Sequence, residues 1–171
     1  PIPAAGSEQP RDFIIVIDIS TSMIDRIEMA KTEAKKVIST ARPGDMVTII
    51  TFGTSAHLLE RRRVRTRDDI LTLATALDPV QATELNTNLP VAMERSLQEL
   101  HRFYEKSADR KRVLLWLSDD KNNPPPDLPD PITFRTLKQK QLKHLPDEEW
   151  FEFTPGIEPE VESDLDWFVE W

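Results

Sequence analysis

The alternation of apolar runs with helix-period segments predicts a three-layer α/β/α domain, doubly wound and Rossmann-like, with a mostly parallel sheet and one antiparallel edge strand. Three observations carry that expectation. Phe13-Ile14-Ile15-Val16-Ile17 and Val113-Leu114-Leu115-Trp116-Leu117 are unbroken apolar runs, as expected of parallel strands covered on both faces. Segments with apolar residues every three or four positions separate the strand-like runs. The run Ala56 to Val64 is polar enough to lie at a sheet edge.

In chain order, Pro1 to Asp12 is polar, carries Pro1, Pro3 and Pro10, and reads as a leader that enters the fold near Phe13, so that residues 13–171 form one domain. The first strand spans Phe13 to Asp18. Ile24, Ile27, Ala30, Ala34, Val37 and Ile38 follow at helical spacing, and Arg42-Pro43-Gly44-Asp45 stops that helix in a turn. Met46 to Phe52 is a second β-rich run closed by Gly53, and Ala56 to Val64 is a third. Asp68-Asp69 put negative charge at the N-terminus of a short helix that runs through Leu77. After a loop from Asp78 to Thr87, the spacing of Leu89, Ala92, Met93, Ser96, Leu97, Leu100, Phe103 and Tyr104 predicts a long amphipathic helix. Lys111 and Arg112 lead into the second apolar strand, which ends at Ser118-Asp119-Asp120 before Asn122-Asn123-Pro124-Pro125-Pro126. A helix across Thr133 to Leu145, a last strand Trp150-Phe151-Glu152-Phe153 and a closing helix through Val161, Leu165, Phe168 and Val169 complete the reading.

Composition narrows the function classes. The 171 residues, 39% apolar and 30% charged, suit one soluble domain with a sizeable core. The formal charge of -8 argues against general nucleic-acid binding, and the local cluster Arg61, Arg62, Arg63, Arg65 and Arg67 reads as a solvated strand face. Without cysteine there are no disulfides, no thiolate catalysis and no usual zinc site. His57, His101 and His144 are scattered, without partners at zinc spacing. No run reaches the roughly 18 apolar residues of a membrane span, and no signal peptide is visible, so no membrane insertion is expected within this chain. With four glycines there is no phosphate-cradling loop.

In a domain of this class ligands collect at the carboxyl ends of the strands. Asp18 and Asp119 each follow an apolar run directly, which brings both carboxylates to one edge if the strands are neighbours. Asp18-Ile19-Ser20-Thr21-Ser22 adds two hydroxyls to the first of them, a cradle for a hard divalent cation that prefers oxygen ligands. The bland alternative is that Asp18 or Ser20 merely caps the next helix.

These residues resemble the von Willebrand factor type A domain, whose metal-ion-dependent adhesion site carries Asp-x-Ser-x-Ser, a distant Thr and a distant Asp. Here the first element is Asp18-x-Ser20-x-Ser22, the Thr similar to the family's is Thr87, placed before the long amphipathic helix, and the Asp that looks equivalent is Asp119. The resemblance implies that these five residues hold Mg²⁺, with Mn²⁺ or Ca²⁺ as alternatives. Ser20, Ser22 and Thr87 would offer hydroxyl oxygens, and Asp18 and Asp119 charge, partly through water. It further implies a non-catalytic, adhesion-type module in which a Glu or Asp carboxylate from a partner protein completes the coordination. Thr21, Met23, Asn86, Asn88, Asp120 and Lys121 flank the ligands and would form the partner-binding face. Leu85 and Asn86 stand where the family often has glycine, as does Asp120, whose charge would favour a cation and oppose an incoming carboxylate.

The resemblance also supports an alternative, an accessory or substrate-recruiting subunit of an ATP-driven chaperone-like or chelatase-type complex. A phosphate-transfer enzyme built on Asp18 is disfavoured because position 20 is Ser20 and not a second acid. The adhesion reading places the protein outside the cytoplasm, secreted or as a membrane-anchored ectodomain. From Asp147 onward there are ten acidic residues and no Lys or Arg, which reads as solvated surface. Its sharper version, a carboxylate entering the metal site of a second copy, would make self-association metal-dependent.

Overall fold

The computed structural model describes residues 9–104, 110–119, 126 and 149–153, with backbone alone at 100–104 and 149–153. The expected helix at Thr133 to Leu145, the closing helix from Val161, the acidic stretch apart from β-strand residues 149–153, and positions Asp120 and Lys121 lie outside the described residues.

The first strand, β1 (Arg11–Asp18), is buried at every position, which is why its sequence shows no period-2 alternation. Phe13, Ile15 and Ile17 point into one core with Val47, Ile49, Val113, Leu115 and Leu117 from neighbouring strands. Ile14 and Val16 point into a second core on the opposite face. Helix α1 (Ile27–Ser39) covers the first face with Ile27, Ala30, Ala34, Val37 and Ile38. Helix α2 (Arg67–Ala76) adds Leu73 to the same face. Helix α3 (Leu89–Tyr104) covers the other with Leu89, Ala92, Met93 and Leu97.

The remaining strands are β2 (Met46–Phe52), β3 (Ala56–Arg63), β4 (Lys111–Leu117) and β5 (Glu149–Phe153). They form a five-stranded sheet in the order β3-β2-β1-β4-β5. β1 is parallel to β2 and β4, and β4 to β5, whereas β3 returns antiparallel along β2. The polar β3 is therefore the antiparallel edge. Two of its three arginines are engaged within the fold: Arg61 meets the buried Glu99 of α3, and Arg62 reaches Glu60 and Asp69.

The starts of β1 and α1 differ from expectation by two residues or more. β1 opens at Arg11, not Phe13, because Arg11 and Asp12 extend the ladder opposite Lys111 and Arg112. There the Arg11 guanidinium is held by Asp45, whose carboxylate also accepts the Arg11 and Arg42 amides at 2.9 and 2.8 Å. α1 opens at Ile27, not near Ile24, because the chain first makes a 3₁₀ turn at Thr21–Met23. Three-residue hydrogen bonds continue through Arg26 before the Ala30 amide makes the first four-residue bond.

β1 connects to β2 on one side, and β4 lies against its other side, so the crevice beyond the ends of β1 and β4 is a topological switch point. Both carboxylates of interest lie there.

Candidate metal centre

The end of β1 is shaped by its own side chains. The Ile19 amide still donates to Phe52 O at 2.8 Å, after which the Ser20 amide turns back onto Asp18 Oδ1 at 2.8 Å. This local side-chain bond competes with strand continuation and starts the turn. Thr21–Met23 then coil tightly, with the Met23 amide donating to Ser20 O at 2.9 Å. The outcome is a hydroxyl pair, Ser20 Oγ and Ser22 Oγ, 3.0 Å apart.

Ser118, directly after β4, donates its hydroxyl to Asp18 Oδ2 at 2.7 Å. The in-register pairing of Ile17 with Leu117 brings the next residues, Asp18 and Ser118, side by side. Asp119 follows and is buried.

The loop ahead of α3 closes the third side. The Thr83 and Glu84 amides donate to Ile19 O at 2.9 and 3.0 Å, and the Thr21 amide donates to Glu84 O at 2.7 Å, forming a bridge at Ser20. The Asn88 amide donates to Gly53 O at 2.7 Å. Between these anchors Thr87 is 1% exposed, and its Oγ1 has no hydrogen-bond partner among the described residues. A buried hydroxyl in that state is rare, and an ion or a water at this position would satisfy it.

Electrostatics point the same way. Burial pushes the Asp18 carboxyl above its ordinary value; hydrogen bonds from Ser20 and Ser118 offset part of this, and the nearby Asp119 charge adds to the rise. Asp18 and Asp119 are thus two buried acids close enough for their charges to interact.

The donor set fits a hard divalent ion. Two carboxylates and three hydroxyls offer only oxygen, the chemistry of Mg²⁺, Mn²⁺ and Ca²⁺. Among the described residues no group of three His, Cys, Asp or Glu side chains forms a competing site.

The surrounding face differs in part from expectation. Thr21 is exposed and Asn86 half-buried. Met23 is a correction: its side chain is 0% exposed and lies in the core with Ile19 and Ile27, because it continues the inward stripe of α1 through the 3₁₀ turn. Asn88 spends its side chain locally, accepting the Val91 amide at 3.2 Å as a helix cap and donating to Thr54 O at 3.2 Å. Ile24 and Leu85, 60% and 74% exposed, stand beside the hydroxyl loop and the threonine loop instead. Sequence reasoning passed over Ser118 and Glu84. Ser118 was accessible from the strand register, but nothing local marks Glu84.

The sequence pattern of the von Willebrand factor type A domain matches residues 13–121, and the chain belongs to that family. No curated protein sequence matches. Among solved structures, a von Willebrand factor type A protein from Catenulispora acidiphila superposes with a TM-score of 0.61 at 16% identity, covering 95% of this chain and 42% of that one. The conserved hypothetical protein BatB from Bacteroides thetaiotaomicron gives 0.59 at 14% identity over 94% of this chain and 96% of its own. The pilus adhesin SpaC from Lactobacillus rhamnosus GG gives 0.55 at 16% identity, covering 68% of this chain and 15% of that one. The chain spans 20% of the three-domain structure of the pilus tip protein Mfa5 from Porphyromonas gingivalis and 15% of SpaC.

Proposed function

We propose that this domain is a non-catalytic protein-recognition module whose metal centre is Asp18, Ser20, Ser22, Thr87 and Asp119, with Mg²⁺ as the ion and a Glu or Asp carboxylate of a partner protein as the ligand. The observation that carries the reading is the buried Thr87 Oγ1 without a partner among the described residues, in a loop bridged to the segment that carries the Ser20–Ser22 hydroxyl pair. When bound, the ion supplies a positive coordination position open to an outside carboxylate. Ser20, Ser22 and Thr87 would contribute neutral oxygens and Asp18 and Asp119 the negative charge, so an outside carboxylate would bind by filling an open coordination position. Ser118 and the Ser20 amide hold both oxygens of Asp18 in a fixed orientation. Ile24 and Leu85 offer apolar surface beside the site. The likeness to a pilus adhesin supports an extracytoplasmic adhesion role.

The test is calorimetric titration of the metal-stripped domain with Mg²⁺ and Mn²⁺, alongside an Asp18→Ala variant checked by circular dichroism. One-site binding in the wild type that disappears in the folded variant supports the reading. Equal binding by both, or none by the wild type, refutes it.

A further inference from the structure

Glu84 joins three segments. Its main chain brackets Ser20, accepting from the Thr21 amide at 2.7 Å and donating to Ile19 O at 3.0 Å. Its carboxylate reaches the turn between β2 and β3, where Oε2 accepts the Thr54 amide at 2.6 Å and Oε1 meets His57 Nε2 at 3.1 Å. That turn is shaped to receive it: a Cβ at Gly53 would overlap Glu84 Cβ and lie 2.8 Å from Oε2. The same turn accepts the Asn88 amide at Gly53 O and the Asn88 side chain at Thr54 O. Thr87 therefore sits between two residues, Glu84 and Asn88, that are both anchored to the Gly53–Ser55 connection.

We infer that Glu84 is the positioning residue of the metal centre, holding the hydroxyl loop and the threonine loop in mutual register through the Gly53–Ser55 turn. The inference rests on the metal reading above. Glu84 needs no contact with the ion. Its side chain restricts the approach of Thr87, while its main chain restricts Ser20. A glutamate is suited to this because its carboxylate carries two acceptor oxygens for the Thr54 amide and the His57 ring on a stem long enough to span from one loop to the other.

The experiment compares wild type with Glu84→Ala, Glu84→Gln and Glu84→Asp by Mn²⁺ titration and by amide hydrogen exchange of residues 82–88 in the metal-free protein. Loss of such an outer contact lowers metal affinity by roughly 10- to 100-fold, and that loss is expected for Glu84→Ala, with faster exchange across 82–88. Glu84→Gln keeps an acceptor oxygen at the same reach and is expected to restore affinity to within about threefold of wild type. Glu84→Asp keeps the charge but falls one methylene short, so it is expected to behave like Glu84→Ala and serves in its place if the alanine variant does not fold. Wild-type affinity and exchange in both Glu84→Ala and Glu84→Asp overturn the inference while leaving the metal reading intact. If wild type binds no Mn²⁺, both fall together. Asp18→Ala separates the two claims: it is expected to lose Mn²⁺ while keeping wild-type exchange at 82–88.

Discussion

Replacing Thr87 by Val removes one hydroxyl and keeps the β-branched shape, so the side-chain volume and rotamer preference are retained. Because Thr87 is buried and its Oγ1 has no hydrogen-bond partner among the described residues, the metal-free protein bears the desolvation cost of an unsatisfied hydroxyl, about 1–3 kcal/mol. Thr87→Val is therefore expected to stabilise the protein in EDTA, the reverse of most core substitutions. For a chain of this size that is a rise in Tm of about 2–12 °C, at about 2–4 °C per kcal/mol. In Mg²⁺ the order closes or reverses. Wild type gains about 2.7 kcal/mol at an ion concentration of about 100 times Kd, whereas the variant, short of one oxygen donor, gains less. The assay is thermal unfolding of both proteins in EDTA and across a Mg²⁺ series. A variant less stable than wild type in EDTA would show that the hydroxyl already has a partner, and an equal Mg²⁺ increment in both would remove Thr87 from the ligand set.

Other expectations follow from the same structure. Burial and Asp119 raise the Asp18 carboxyl above its ordinary 3.8, so in the metal-free protein its contribution to stability is fully present below that value and is lost as pH rises through the raised value. Mg²⁺ needs the carboxylate, so Mg²⁺ affinity is expected to climb over the same interval and level off above it; calorimetry across pH checks this, and pH-independent affinity from pH 4 to 8 would contradict it. Asp45→Ala removes the carboxylate from the buried Arg11 guanidinium, the two side chains being 4% and 2% exposed, and leaves it the Thr40 carbonyl at 2.8 Å, so a cost of about 3–5 kcal/mol in urea unfolding is expected; a loss below about 1 kcal/mol would count against it. Gly53→Ala forces Glu84 off the β2–β3 turn, so a lower Tm together with weaker Mn²⁺ binding is expected, and a variant with wild-type values for both would show that the turn yields freely.

The strands were legible where burial on both faces left no alternation to confuse the reading. Phe13 to Ile17 and Val113 to Leu117 could be little else than central parallel strands, and β1 and β4 indeed pair in register. The polar run after Gly53 was likewise legible as an edge. Met23 was misread as part of the binding face because adjacency to Ser22 is a chain property, whereas the direction of a side chain depends on the turn that carries it. In the 3₁₀ turn the stripe Ile19, Met23, Ile27 faces the core. Asn88 is expected on the binding face from its place beside Thr87, yet its amide group is consumed by the cap of α3 and by Thr54.

From the sequence alone came the family, the layered architecture and the candidate ligand types, because hydrophobic period and a short motif depend only on residues near one another in the chain. The tertiary structure decided what surrounds those residues. It set Ser118 against Asp18 at 2.7 Å across a parallel strand pair, and it placed the Glu84 carboxylate on a turn some thirty residues earlier in the chain. It also buried the Thr87 hydroxyl without a partner among the described residues. Each of these depends on strand register and loop closure over long sequence separations, which no local pattern encodes.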